Sequence, residues 1–166
     1  MSTYLDTRDL AKRKEELETL RDAIKTAREE LAEKQTALDE HKALPVPEDE
    51  DEKEAHDETT EELETEVEDA QADLDVAISD FTDEEKEELA ELEELENEIS
   101  EWRHGETLIP CDSFEDYARE LLEDCGDIPR DLPHYIVIDW SATAENLLAD
   151  YSTVTYQGTS YYVRNC

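Results

Sequence analysis

The run LAKRKEELETLRDAIKTAREELAEKQTAL, from Leu10 to Leu38, decides the architecture. Leu10, Leu17, Ile24, Leu31 and Leu38 recur every seven residues, with Leu20 and Ala27 at two of the partner positions and Arg13 and Lys34 at the other two. A seven-residue repeat lays apolar side chains along one stripe of a helix, as in the seam of a coiled coil. The two bases in that seam call for a facing helix that can neutralise them. Strong helix formers fill the run, and neither Gly nor Pro intrudes before Pro45. Leu44-Pro45-Val46-Pro47 ends it, because proline lacks a donor and restricts the residue before it.

Beyond the prolines, Glu48–Asp57 is nearly all acidic and reads as a solvated turn or mobile loop, within a connection over 45–59. A second helical run then starts near Thr59 or Thr60. Leu63, Val67, Ala70, Leu74, Ala77 and Phe81 alternate by four and three and define one stripe. Thr82 with Glu85 reads as a capping box, so the helix breaks or kinks there. Leu89, Leu92, Leu95, Ile99 and Trp102 carry a stripe onward to a stop near Gly105.

The two arms are of similar length, which fits an antiparallel coiled-coil hairpin over residues 1–105. A coiled-coil dimer fits the same pattern.

From Glu106 the character changes, and 106–166 reads as a small α+β domain. Thr107-Leu108-Ile109 is a short strand, and Ser113 with Asp116 starts a helix that Gly126 closes. Pro129 and Pro133 bracket a loop leading into Tyr135-Ile136-Val137-Ile138. Trp140, Ala144, Leu147, Leu148 and Tyr151 sit at helical spacing. Thr153–Tyr156, Gln157-Gly158 and Ser160–Arg164 make a β-hairpin. The expected fold is therefore α+β: a long antiparallel helical hairpin, then a small α+β domain ending in a β-hairpin.

Charge narrows the function classes. The chain has 51 acidic and 15 basic residues in 166, a net charge of -36. Such a molecule repels nucleic acid and anionic membranes and attracts basic surfaces. Solubility of a small domain needs a net charge of only about 2–8, and mutual repulsion destabilises an acidic helix, so the excess calls for a use. Between Glu61 and Glu101 stand 20 acids and one base. At a rise of about 1.5 Å per residue, that approaches the one phosphate per roughly 3.4 Å of a single DNA strand. With the apolar stripe inward, Glu61, Glu62, Glu68, Asp69, Asp75, Glu87, Glu93, Glu94 and Glu101 are expected to face outward as phosphate-like groups. Glu64, Glu66, Asp73, Glu91 and Glu98 flank the seam.

Other chemistry finds little purchase. His41, His56, His104 and His134 show no metal-ligand spacing. A zinc site from His104, Cys111, Cys125 and His134 lacks a paired motif, and the plainer reading packs Cys111 and Cys125 as small apolar groups. No acidic run has the spacing and glycine of a calcium loop. No cofactor, metal or catalytic activity is expected. The three cysteines, Cys111, Cys125 and Cys166, read as reduced in a cytoplasmic protein. No apolar run approaches the roughly 20 residues of a membrane span.

Two stretches carry a family likeness. Ile138-Asp139-Trp140-Ser141-Ala142-Thr143-Ala144-Glu145-Asn146-Leu147, continuing to Asp150-Tyr151 and ending Tyr161-Tyr162-Val163-Arg164, resembles the ArdA-type antirestriction proteins of phages and mobile elements. Phe114–Gly126 resembles the helix upstream of it, and Tyr4–Leu10 resembles the start of phage proteins that join a charged helical region to such a tail. The likeness covers roughly the last 60 residues and the first ten, with a long helical region in place of the family's other domains. It implies DNA mimicry against type I restriction–modification enzymes, usually by elongated dimers. The expected partner is thus a DNA-binding complex of a host defence system, restriction–modification or CRISPR, with no nucleic acid bound directly. The competing expectation is an acidic coiled-coil adaptor or assembly protein, or a chaperone of a basic partner.

Overall fold

The computed structural model describes residues 4–129 and 131–165. Cys166, expected to be reduced, lies outside them. The elements in chain order are β1 (Leu5–Asp6), α1 (Thr7–Lys42), α2 (Glu50–Asp80), α3 (Asp83–Glu98), β2 (Thr107–Pro110), α4 (Phe114–Asp124), α5 (Trp140–Leu147), β3 (Tyr151–Tyr156) and β4 (Thr159–Arg164). The class is α+β with long helices and a four-stranded antiparallel sheet. The chain forms two compact units, Glu16–Lys86 and Met1–Glu15 with Glu87–Cys166, so these units divide within α1 and α3. The pairing of Leu5 with Leu108 and Asp6 with Thr107 is the reason: the chain start belongs to the tail's sheet.

In the unit 16–86 the heptad stripe does what its spacing demands. Leu17, Ile24, Ala27 and Leu38 of α1 and Leu74 of α2 are buried, as is Phe81 just after it. Leu20, Leu31, Leu63, Val67, Ala70 and Ala77 are half-buried. Lys34 Nζ meets Glu66 Oε2 at 2.7 Å and Lys42 Nζ meets Glu64 Oε1 at 2.6 Å. The His41 ring stacks on His56, with centroids 4.4 Å apart. From Lys34 to Lys42 of α1 the ion-pair partner moves from Glu66 to Glu64 of α2.

The connection is much shorter than expected. Glu48–Asp57 is not a loop: α2 begins at Glu50, about nine residues before Thr59. Asp49 is the N-cap, and its side chain accepts from the backbone N–H groups of Asp51 and Glu52. Three acids in the first turn suit the positive end of the helix dipole, which outweighs the local charge crowding. The capping box is present: Thr82 N donates to Glu85 Oε2 at 3.0 Å, and Glu85 N donates to Thr82 Oγ1 at 3.3 Å.

In the other unit the strand order is β1-β2-β4-β3, all antiparallel. On one face Ile109, Phe114, Ala118 and Ala144 form a buried cluster with Tyr117, Leu147, Leu148, Tyr151 and Tyr162. Phe114 meets the Tyr151 and Tyr162 rings edge-on at 4.9 and 5.0 Å. On the other face Val154, Tyr156, Tyr161 and Val163 are buried, as are Leu89, Leu92 and Leu95 of α3. Burying a leucine of this kind is worth roughly 1.5–3 kcal/mol. α3 stops at Glu98, and turns over 100–104 lead to Gly105. Gln157 and Gly158, at φ 47° and 71°, form the two-residue turn between β3 and β4.

Tyr135-Ile136-Val137, beyond the proline-bracketed loop, is in neither helix nor strand and is 76%, 47% and 89% accessible. One tail expectation changes. Cys111 is half-buried, but Cys125 lies past the end of α4 and is exposed, so it does not pack as an apolar group.

Candidate phosphate-mimicking surface

α2 supplies the densest charge. Fifteen of its 31 residues are acidic and one is lysine. All fifteen acids are exposed, because the inward positions go to Leu63, Val67, Ala70, Leu74 and Ala77. Over about 46 Å of helix this is one carboxylate per roughly 3 Å of axis, close to the phosphate interval of about 3.4 Å along one DNA strand. Glu50, Asp51, Glu52, Glu54, Asp57 and Glu58 lengthen the charged surface beyond the expected set. The Asp49 cap before a run of good helix formers was the signal for them.

Of the nine acids expected outward, Glu61, Glu62, Glu68, Asp69 and Asp75 lie exposed on α2, within the unit 16–86. Asp75 Oδ1 accepts from Gln71 Nε2 at 2.9 Å, which holds that carboxylate in place. Glu87 and Glu94 are exposed on the part of α3 in the other unit, while Glu93 and Glu101 are half-buried there. Glu101 contacts the His104 ring. The expected set is therefore divided between two units.

The flanking acids meet three fates. Glu64 and Glu66 are quenched in part by Lys42 and Lys34. Glu91 accepts from the backbone N–H of Gln157 at 2.9 Å. Asp73 and Glu98 remain exposed. Pairs this exposed contribute little, because water and salt screen them. The hydrogen bond and charge of Glu66 hold the Lys34 ammonium above its ordinary range. The hydrogen bond from Lys86 holds the Asp83 carboxylate below its own.

Three acids of α3 were not marked by sequence as structural. Glu88 is bound by Arg13 and Tyr156, Glu91 by the hairpin turn, and Glu96 by Lys14 at 2.8 Å. Of the three, the sequence set apart Glu91 alone, as a residue flanking the seam.

Among the described residues no group of three or more His, Cys, Asp or Glu is placed to hold a metal ion, and no helix is long and apolar enough to cross a membrane. Compared with known proteins, the chain matches no family model, no curated sequence and no solved structure.

Proposed function

We propose that this chain is a non-enzymatic DNA mimic that occupies the DNA-binding surface of a host defence complex, restriction–modification or CRISPR, in the manner of the ArdA-type proteins its tail resembles. The observation that carries the reading is the charge interval of α2, with every acid exposed at nearly the spacing of a nucleotide strand. A basic groove that evolved to grip phosphates releases counterions on binding such a surface as it does on binding DNA. In this reading α1 and α2 form an antiparallel coiled-coil hairpin that holds the acids in register, and the protein works in the host cytoplasm without cofactor, nucleic acid or membrane.

The test is a low-salt pull-down from host extract eluted with competing duplex DNA, followed by DNA-binding competition on the captured complex. A variant with Glu61, Glu62 and Glu68 changed to Gln and Asp69 and Asp75 changed to Asn folds but no longer displaces DNA. Undiminished displacement by that variant ends the proposal.

A second reading, an acidic adaptor that docks a partner through its tail, is favoured by the exposed Tyr135-Ile136-Val137 segment. In that case capture survives the five-fold neutralisation and is lost when these three residues become Ser.

A further inference from the structure

The sheet ends on β3, and that edge is open. Tyr156 and Thr159 flank the two-residue turn, and at the far end of the hairpin Asn165 N donates to Asp150 O at 2.8 Å. Bonded pairs in an antiparallel ladder recur at every second residue, so they are Asp150–Asn165, Ser152–Val163, Val154–Tyr161 and Tyr156–Thr159. The backbone N–H and C=O of Thr153 and Thr155 therefore point away from β4. Among the described residues no hydrogen bond reaches these four groups, and both threonines are exposed. Tyr151 faces the same way, but Leu148 O takes its N–H.

Edge strands are ordinarily kept from pairing with other chains by charges, proline or a bulge. β3 has none of these. Of the whole chain 40% is charged, yet no charged side chain stands from Tyr151 to Val163, and the β3–β4 register runs unbroken. The opposite edge, β1, is two residues long and carries Asp6 beside Arg8.

α3 lies along this hairpin. At the turn, Tyr156 Oη reaches Glu88 and Gln157 N reaches Glu91. At the other end, Glu98 and Glu101 line a cavity of about 200 Å³ with Ser152, Arg164 and Asn165. Glu91, Glu94, Glu98 and Glu101 each precede a residue of the buried stripe Leu92, Leu95, Ile99 and Trp102, so they form one row beside it. Glu96, on the other side of the stripe, pairs with Lys14 of α1, which continues from β1 at the far edge of the sheet. The row therefore flanks the open β3 edge, and its Glu94 and Glu98 are exposed.

We propose that β3 takes up an extended segment of a partner protein as a fifth strand, and that this segment carries Lys or Arg at alternate positions. The free backbone groups demand an extended chain. Side chains on one face of a strand repeat at about 6.8 Å and the carboxylates of α3 at about 5 Å, so successive bases on that face meet Glu94 and Glu98. A second copy leaves the row unmet, because its own edge brings no base. A nucleic-acid strand has neither the peptide ladder nor the sign. The site lies in the other unit from α2 and does not rest on the charge of that helix.

The probe is a short peptide, blocked at both ends, with lysine alternating with threonine and valine. Its isomer has the same composition with the lysines together at one end. Fluorescence anisotropy at near-physiological salt should show the alternating peptide binding about tenfold more tightly than the isomer. Thr153→Pro removes an outward N–H and leaves the β4 ladder intact, so it should weaken that binding about tenfold. Glu94→Gln with Glu98→Gln should erase the preference between isomers. Circular dichroism checks that each variant is folded. Two N-methylated peptides, one modified at the lysines and one between them, read the same ladder on the unaltered protein. One of the two should lose binding, since one parity faces β3. Equal binding of the isomers, undiminished binding by folded Thr153→Pro, or undiminished binding of both N-methylated peptides would each overturn the proposal. A wild-type dimer that Thr153→Pro dissolves would overturn it too, by giving the edge to a second copy.

Discussion

Tyr156 Oη donates to Glu88 Oε1 at 3.0 Å, on a carboxylate whose Oε2 accepts from Arg13 Nη2 at 2.9 Å. The last strand-pair, the third helix and the start of the first thus meet on one side chain that is only 17% exposed. Glu87, next to it, is exposed. Glu88→Ala should destabilise the protein by about 1–3 kcal/mol, because it takes the carboxylate acceptor from a buried hydroxyl and one partner from the Arg13 guanidinium. Glu87→Ala should stay within about 0.5 kcal/mol of wild type. Thermal melting of both variants checks the contrast, and equal effects would refute it.

Alkali should loosen the same contact. Burial first, then the hydrogen bond and charge of Glu88, hold the Tyr156 phenol above its ordinary value of 10.0. A folded-state value raised above the unfolded one gives stability that is fully present below pH 10 and is lost as pH rises through the folded value. Tyr151 is raised in the same sense, chiefly by burial. Stability measured by denaturant titration should fall above about pH 10, and Tyr156→Phe should flatten part of that fall.

Thr7 is wholly buried and tied to the other end of its unit. Its N–H donates to Glu106 O at 2.9 Å, and its Oγ1 accepts from Glu106 N at 2.8 Å. Thr7→Val keeps the shape and orphans the Glu106 N–H, so a cost of about 1–3 kcal/mol is expected. Thr7→Ser, which keeps the acceptor, should recover most of it. Chemical denaturation of the two variants reads the difference.

The first turns of α2 depend on Asp49. Its Oδ1 accepts from Asp51 N at 3.1 Å and from Glu52 N at 3.4 Å. Asp49→Ala should cost about 0.5–2 kcal/mol, felt locally. Hydrogen exchange should speed up across residues 51–58 and remain unchanged near Leu74.

Legibility varied with how far apart the interacting residues lie. The heptad from Leu10 to Leu38, the stripe from Leu63 to Phe81, the Thr82–Glu85 box and the Gln157-Gly158 turn are all local signals, and each appears where its spacing put it. The Glu48–Asp57 run misled because charge was weighed as repulsion, while the Asp49 cap and the helix dipole act on the same residues with the opposite sign. Among the expected surface acids, Glu61, Glu62, Glu68, Asp69, Asp75, Glu87 and Glu94 are exposed, since a strong apolar stripe leaves one way to turn the helix. Glu93 and Glu101 are half-buried.

What the amino-acid order alone determined is the helical periodicity, the break at Thr82, the closing hairpin and the -36 charge with its concentration in the middle of the chain. Each of these depends on residues within a turn or two of one another. Only the tertiary structure decided that the chain start pairs with Thr107 and Leu108, that the units divide inside α1 and α3, and which glutamates are bound and which face water. Glu87 and Glu88 have the same chemistry and the same neighbours in sequence. They differ because one points at Arg13 and Tyr156, and residues 68 or more positions away leave no mark on a local pattern.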